Sequence, residues 1–560
     1  MKQNARYLFL LVVLSVALYG FLPAGWWYYD DPLLVTFASQ HTVAEILFNP
    51  EVWLRFSPFN LVPWVILSLK IDAFFAGFAP HFYYLHQILA LTIVVSAVFA
   101  VFTLYLKARL SSFAGAVIFL LHPATFAVVS WITTRHYLEG LGFGLFSIYF
   151  YVRALRDRRP LFIAISTLFF VFALMSKEVY VPLAFLLVLL PEERFLTRIR
   201  YALPAFVVTG LYIFYRAWML GNNTLGGYSA IWPWTVKSAL LSTPEMLKSY
   251  GNSWVIPVVI SLVVIGSFFR LEGWKGRLGR ASRGLLLFSL FYLPIVPVSP
   301  LWGGLGSLRY FFVLSLFITF CYAASVDLLA EKEGGIRRAL AIISVFVVIG
   351  GFSYEFTRQK TLWQAEKAVA YAEGRFFLEN SGRSDAIFRI NQPHWFFDGL
   401  EEMESEQSGE KAERKIRLVA GEFYGLDGGE AAPDPEVFSY DRNTGEIVDI
   451  RESAGKSHEG FLKTLQNRPL SVDMTITDGI MKLRLGPYEG RYTFLEASPS
   501  QPGFYYLAFP VNRVFGIKLT HREKIRIFRF AFTSPEGWTT LSPEFLVDRT
   551  EDQTVQWNRR

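Results

Sequence analysis

The feature that most constrains this chain is the succession of apolar stretches in its first 355 residues. A hydrocarbon core about 30 Å thick is crossed by about 20 helical residues. Stretches of that order fall at 7–23, 59–78, 84–106, 111–134, 137–154, 161–176, 179–191, 201–219, 253–270, 284–302, 309–330 and 337–353. Several are short or contain proline, which a large bundle tolerates because neighbouring helices or water satisfy the freed backbone groups. With 53% hydrophobic residues and 53 phenylalanines, the chain has more apolar surface than an ordinary soluble domain can bury. The long runs stop near residue 355. The expected fold class is an α-helical polytopic membrane protein, with about 11–13 transmembrane helices and a C-terminal β-rich soluble domain. The expected division is 1–355 transmembrane, 356–400 a helical connector and 401–560 a β-rich extracytoplasmic domain.

Loop charge sets the expected orientation. The net charge is +7, and Lys and Arg gather in short loops at Arg153–Arg159, Arg194–Arg200, Arg270–Arg283 and Lys332–Arg338. These belong inside, as do Lys2 and Arg6, so the N-terminus is expected in the cytoplasm. Residues 24–58, Arg135-His136, Lys177-Glu178, 220–252, the 303–309 turn and everything after 353 then face outward. The expected location is the cell (inner) membrane, with the C-terminal domain extracytoplasmic and membrane lipid as a constant partner. No cleavage site of small residues follows the first apolar run, which reads as an uncleaved span. Twelve spans from an inside start would end inside, against the charge pattern. Two remedies restore the parity: 111–134 crosses twice, broken at His122-Pro123, giving thirteen, or 59–78, with Lys70 and Asp72, does not cross, giving eleven. Thirteen is the preferred count, since proline removes a backbone donor.

No basic–aromatic stripe points to nucleic acid, which is excluded as a partner. Cys321 is the single cysteine and lies in an apolar run, so no disulfide staples the soluble part. That part opens with a helical pattern around Trp363, Ala368 and Tyr371. Alternating runs at 470–476, 481–485, 505–509 and 525–530 then predict a β-sandwich-like unit.

The chemistry-bearing residues sit at the outward span ends. Tyr28-Tyr29-Asp30-Asp31-Pro32 follows the first span, beside Trp26 and Trp27, aromatic residues that favour the membrane boundary. Arg135-His136, Lys177-Glu178 and Arg309-Tyr310 end other spans on the same face. Singly, each suits a snorkelling anchor; together, ionisable groups at one depth mark a site. Two carboxylates supply a general base, and Arg and Lys supply an anion clamp. Asp30 and Asp31 are the candidate catalytic pair, and Arg135, Lys177 and Arg309 the candidate phosphate-binding cations. Glu178, His86 and Tyr310 are further candidates for an acid or substrate contact, although Glu178 also suits a partner for Lys177 and His86 a packed or lipid-interface position. The tryptophans Trp218, Trp232 and Trp234 suit interfacial anchors better than a sugar platform.

Over residues 20–370 the layout resembles the GT-C superfamily of polyprenyl-phosphate-sugar-dependent glycosyltransferases, in particular the transmembrane O-mannosyltransferase-like proteins with tetratricopeptide repeats and the protein mannosyltransferase/aminoarabinose transferase group. Four stretches carry the likeness: Tyr29-Asp30-Asp31; Phe56-Ser57-Pro58-Phe59 with Pro80, Tyr84 and His86; His122-Pro123 through Val129-Ser130-Trp131-Ile132 to Arg135; and Ser176-Lys177-Glu178 with Leu308-Arg309-Tyr310 and Arg358 to Trp363 and Glu366. The resemblance implies transfer of a single sugar, with inversion, from a polyprenyl-phosphate donor to an acceptor hydroxyl on the outer side, the acceptor being a protein, lipid or glycan. It puts the catalytic acid at Asp30 or Asp31, the leading Asp30 matching the reactive position. No cofactor is required, since the lipid-linked sugar is a substrate. Some relatives bind divalent ions through acidic loop residues, but Asp30 and Asp31 alone make a thin set and no metal is indicated. The sequence departs from the pattern in two places: Ser57, not arginine, precedes Pro58, and a β-rich part replaces the repeats. The alternatives are a transporter or flippase of lipid-linked sugars, a surface-polysaccharide polymerase, and a plain anchor for the β-rich part.

Overall fold

The computed structural model describes residues 2–57, 60–221, 255–268, 284–286, 288–292, 308–330, 335–384, 386–409, 415–420, 436–477, 480–488, 490–498, 501–511, 515–518, 525–548 and 551–559. Trp232, Trp234, Pro58 and Phe59 lie outside these residues.

Helix α1 (Lys2–Tyr19) runs on through a short 3-10 turn, Leu22–Ala24. Four shorter helices follow: α2 (Asp31–Gln40), α3 (Val43–Phe48), α4 (Pro50–Phe56) and α5 (Pro63–Ala76). Then come α6 (Pro80–Tyr105), α7 (Arg109–Leu121), α8 (Pro123–Val129), α9 (Arg135–Asp157), α10 (Pro160–Ser176), α11 (Leu183–Leu189) and α12 (Phe195–Leu220). The bundle is completed by α13 (Val255–Phe268), α14 (Phe312–Ala330) and α15 (Gly335–Asn380). Among the described residues five helical stretches are long and apolar enough to cross a membrane: Gln3–Ala24, Pro80–Tyr105, Phe195–Leu220, Arg309–Ala330 and Gly335–Asn380. The protein is thus a multi-pass α-helical membrane protein with a β-rich C-terminal part.

The expected double crossing by 111–134 is corrected. Helices α7 and α8 do break at His122-Pro123, with a bend of 58°. His122 Nδ1 accepts from the Ala124 N–H at 3.0 Å, and proline opens α8 at no loss of a hydrogen bond. But α8 has seven residues, which rise only about 10 Å and cannot cross by themselves. The pair therefore makes one broken crossing or a re-entrant segment.

The parity resolves instead at 59–78. Tyr84, in the first turns of α6, donates its hydroxyl to Trp26 O at 3.1 Å, and Trp27 packs edge-on against Tyr83 at 5.1 Å. The end of α1 and the start of α6 therefore share one end of the bundle. Whatever lies between them begins and ends there, so α5 does not make a net crossing. Lys70 on α5 donates to Ala38 O and Ser39 O at the end of α2, both at 3.2 Å. At the other end of α6, Asp327 accepts from the N–H groups of Lys107 (2.8 Å) and Ala108 (3.0 Å), joining that loop to the end of α14 and capping the start of α7. In the placement of 59–78, the chain follows the alternative in which that stretch does not cross.

Helix α15 is 46 residues long, about 69 Å, and joins the bundle to the C-terminal part without a break. Strand β1 (Ala386–Ile390), helix α16 (His394–Ser408) and strands β2 (Arg417–Ala420), β3 (Glu436–Asp441) and β4 (Glu446–Asp449) follow. The sheet order is β2-β1-β3-β4, with β1 parallel to both its neighbours. Phe388, Phe396, Phe397 and Leu400 belong to the same continuous core as the helices. The expected boundary at 400 thus falls inside α16, and this small sheet is built onto the bundle.

After helix α17 (Arg451–Thr464) comes the β-sandwich. Its strands are β5 (Leu470–Thr477), β6 (Ile480–Gly486), β7 (Gly490–Ser498), β8 (Gln501–Val511), β9 (Phe515–Lys518), β10 (Ile525–Thr533), β11 (Thr539–Leu541), β12 (Phe545–Asp548) and β13 (Gln553–Arg559). One sheet runs β11-β10-β7-β8, with β12 also on β10, and the other β13-β5-β6-β9. Leu470, Val472, Met474 and Ile476 alternate inward on β5 and meet Phe528, Phe530 and Phe532 of β10 in a core separate from that of the bundle.

Candidate active site

The site is built where the chain turns from α1 into α2. Proline at the start of α2 fixes the helix entry, and the Asp31 N–H donates to Tyr28 O at 2.9 Å, closing a turn over Tyr29. Tyr29 has φ +57°, the left-handed region that a bulky residue rarely occupies. The two aspartates diverge from this turn.

Asp31 is fully buried. One carboxylate oxygen accepts from the Tyr28 N–H at 2.9 Å and the other from the Thr133 N–H at 3.2 Å. Lys367 Nζ, on α15, lies 3.8 Å away. Lys367 also donates to Trp26 O at 2.9 Å and to the Tyr84 hydroxyl, and it faces the Tyr28 ring at 4.7 Å. Burial pushes Asp31 up to about 7, with the Lys367 charge opposing. Asp31 therefore serves as a tie between three segments.

Asp30 is only half-buried. Its carboxylate accepts from the Thr133 hydroxyl at 2.7 Å, and it feels the positive charge of Arg309. Burial pushes its carboxyl above the ordinary range, and the Thr133 hydrogen bond and Arg309 pull against that rise. The Arg309 guanidinium rests 4.5 Å from the Trp131 ring and donates to the Tyr310 hydroxyl at 3.2 Å. Tyr310 packs edge-on to Tyr137 at 6.2 Å, and Lys177 Nζ lies 5.9 Å from the centre of the Tyr137 ring. Lys177 donates to Asn60 Oδ1 at 3.2 Å and lies 3.9 Å from Glu178, whose other oxygen is 3.5 Å from Arg216. The Asp30 carboxylate and three cations, Arg309, Lys177 and Arg216, thus share one end of the bundle, with Glu178 between the last two.

Arg135 and His86 belong elsewhere. Arg135 is fully buried and donates to Asp72 (2.6 Å), Ser68 (3.2 Å), Gln87 (3.3 Å) and Tyr83 O (3.0 Å). His86 lies between Asp72 at 2.7 Å and Glu139 at 3.2 Å. Glu139 in turn accepts from Trp64 and Ser68, each at 2.8 Å. This network ties α5, α6 and α9 together. With its donors committed there, Arg135 is not brought to the Asp30 cluster as the sequence reading expected.

Several participants escaped the sequence reading. Arg216 lies inside the apolar stretch 201–219, where a charge is costly, and that signal was available. Thr133 and Asn60 are ordinary polar residues, and only the fold gives them a role. Lys367 sits in a helical pattern that reads as a solvated face. Among the described residues no group of three or more His, Cys, Asp or Glu side chains could hold a metal ion.

No family model matches the sequence, and no curated protein matches it. Among solved structures, the chain is similar to ArnT from Cupriavidus metallidurans in the apo state, at 11% identity and TM-score 0.44, over 78% of this chain and 94% of that one. It is similar to the Archaeoglobus fulgidus oligosaccharyltransferase tethered with an acceptor peptide, at 10% identity and TM-score 0.41, over 93% and 76%. It is also similar to arabinosyltransferase EmbB from Mycobacterium smegmatis, at 11% identity and TM-score 0.38, over 99% of this chain and 61% of that one. All three are GT-C glycosyltransferases. The likeness does not reach individual residues.

Proposed function

We propose that this protein is an inverting membrane glycosyltransferase that moves one sugar from a polyprenyl-phosphate donor to an acceptor hydroxyl at the outer face. The observation that carries the reading is Asp30 under the charge of Arg309, with Lys177 and Arg216 gathered on Glu178 at the same end of the bundle. Asp30 takes the acceptor proton as the hydroxyl oxygen attacks the anomeric carbon. The bond from that carbon to the phosphate oxygen breaks, and its electron pair leaves with the phosphate. Arg309 and Lys177 stabilise the developing negative charge. A single displacement inverts the anomeric centre. Asp31 keeps the turn in place and takes no proton in the reaction. In this reading the acceptor is a protein, lipid or glycan, no cofactor is needed, the membrane is the inner one, and both the site and the C-terminal part face away from the cytoplasm.

The test is transfer from a panel of polyprenyl-phosphate sugars by purified wild type, Asp30→Asn and Asp31→Asn. The expected loss for Asp30→Asn is about 10²–10⁴-fold in rate. A flippase of lipid-linked sugars needs no base and would tolerate Asp30→Asn, while a polymerase would accept only diphosphate-linked oligosaccharides. Full transfer by Asp30→Asn sinks the mechanism.

A further inference from the structure

The turn that carries Asp30 is gripped from the C-terminal side at two points on one helix. Lys367 of α15 pairs with Asp31. Glu373, also on α15 and fully buried, accepts from the Asn391 N–H (2.8 Å), the Asn391 side chain (2.7 Å) and the Gln392 N–H (2.9 Å). These bonds fix the loop between β1 and α16. From that loop the buried Gln392 side chain accepts the Tyr29 N–H at 3.3 Å, and Trp395 packs edge-on against the Tyr29 ring at 5.5 Å. Tyr29 is the residue with φ +57°, immediately before Asp30. A bulky side chain holds that conformation only where its surroundings impose it. The hydrogen bond that the Tyr29 N–H donates to Gln392 and the Trp395 contact are such constraints, and neither comes from the membrane-spanning bundle.

We propose that Gln392 is a positioning residue for Asp30, holding Tyr29 in its left-handed conformation so that the Asp30 carboxylate is turned toward Thr133 and Arg309. The C-terminal part then does more than sit beside the bundle, because its first loop sets the direction of the candidate base. The functional meaning rests on Asp30 being the reactive carboxylate, but the positioning itself can be read without substrate.

The experiment labels carboxyl groups of the full chain in detergent with a water-soluble carbodiimide and an amine, and quantifies Asp30 by mass spectrometry. Gln392→Met removes the acceptor at similar volume. Asp30 labelling should rise about fivefold, the weight of one left-handed residue released. Adding Tyr29→Asn, a residue that tolerates the left-handed region, should return labelling toward the wild-type level. A role in folding alone predicts a fall in thermal stability and no rescue by Tyr29→Asn. Unchanged Asp30 labelling in a folded Gln392→Met protein, or labelling that Tyr29→Asn leaves high, overturns the proposal. If no sugar donor supports transfer while the labelling behaves as expected, the positioning stands and the enzymatic reading fails.

Discussion

At the scale of residues, the two aspartates differ in what surrounds them, and that difference divides their work. Asp31 spends both oxygens on backbone N–H groups and lies against Lys367. Asp30 is less buried as a residue, and its carboxylate accepts from the Thr133 hydroxyl under the charge of Arg309. Because burial raises the Asp30 carboxyl above its usual range, a base at this position is ionised only at higher pH than an exposed aspartate. The transfer rate should therefore climb with pH along an acid limb centred above about 3.9, the ordinary value. A pH–rate profile with its acid midpoint at or below that value would count against Asp30. The sequence showed both acids but not their separation, because adjacent positions look alike until the Tyr29 turn sends them apart. The Asp72, Arg135, His86 and Glu139 network was hidden because its members are scattered along the chain, three of them in different apolar stretches and Arg135 between two stretches. Arg135→Leu takes the guanidinium from the mostly buried Asp72 and should cost about 3–5 kcal/mol. Thermal unfolding in detergent reads that loss, and Asp72→Asn in the same chain should recover part of it.

At the scale of elements, helices were legible by their apolar length and their ends by proline. His122-Pro123 was read correctly as a break, yet its consequence was misjudged, since breaking a helix does not create two crossings when one piece is seven residues long. The stretch 59–78 had length and hydropathy enough, and only the contacts between Trp26, Trp27, Tyr83 and Tyr84 show that it starts and finishes on one side. The contact of α2 with α16 left no sequence signal beyond a glycine. A Cβ at Gly399 would lie 2.4 Å from Leu33 N and 2.7 Å from Pro32 C, both backbone atoms that cannot rotate away. Gly399→Ala should therefore push α16 from α2 and destabilise the fold by about 1–3 kcal/mol. An unchanged melting temperature would mean that this close approach is not kept in the membrane.

At the scale of the molecule, the apolar clusters do not divide as the composition suggested, into one membrane part and one soluble part. The boundary between them does not follow hydropathy. Residues 386–420 are polar enough to read as soluble, yet Phe388, Phe397 and Leu418 belong to the core of the bundle. The other face of the small sheet has a minor cluster of its own, Ile387, Val419, Val437 and Ala454, and the sandwich from Leu470 to Arg559 has a larger separate interior. Ending the chain after residue 467 should thus leave the bundle folded and Asp31 protected from carbodiimide, whereas ending it after 380 should expose the Tyr29 turn. Equal labelling of Asp31 in the two truncations would show that the small sheet does not support the site. The alternation of β5, β6 and β10 was plain in the sequence because one face of each meets only its own sandwich; the small sheet was not, because its partner is the membrane bundle.

The long helix α15 also imposes an order on assembly. Trp26 and Lys367 are bonded across 341 residues, and Lys367 is the cation beside Asp31. A chain inserted from its N-terminus makes the Asp30-Asp31 turn near the beginning of synthesis and the lysine after every span is in place. Until then Asp31 has its Tyr28 and Thr133 N–H donors but lacks the Lys367 charge. The candidate site is therefore completed only after the last span, although its acids are among the first residues translated, so a ribosome that stalls before α15 yields a membrane-embedded chain whose Asp31 lacks Lys367.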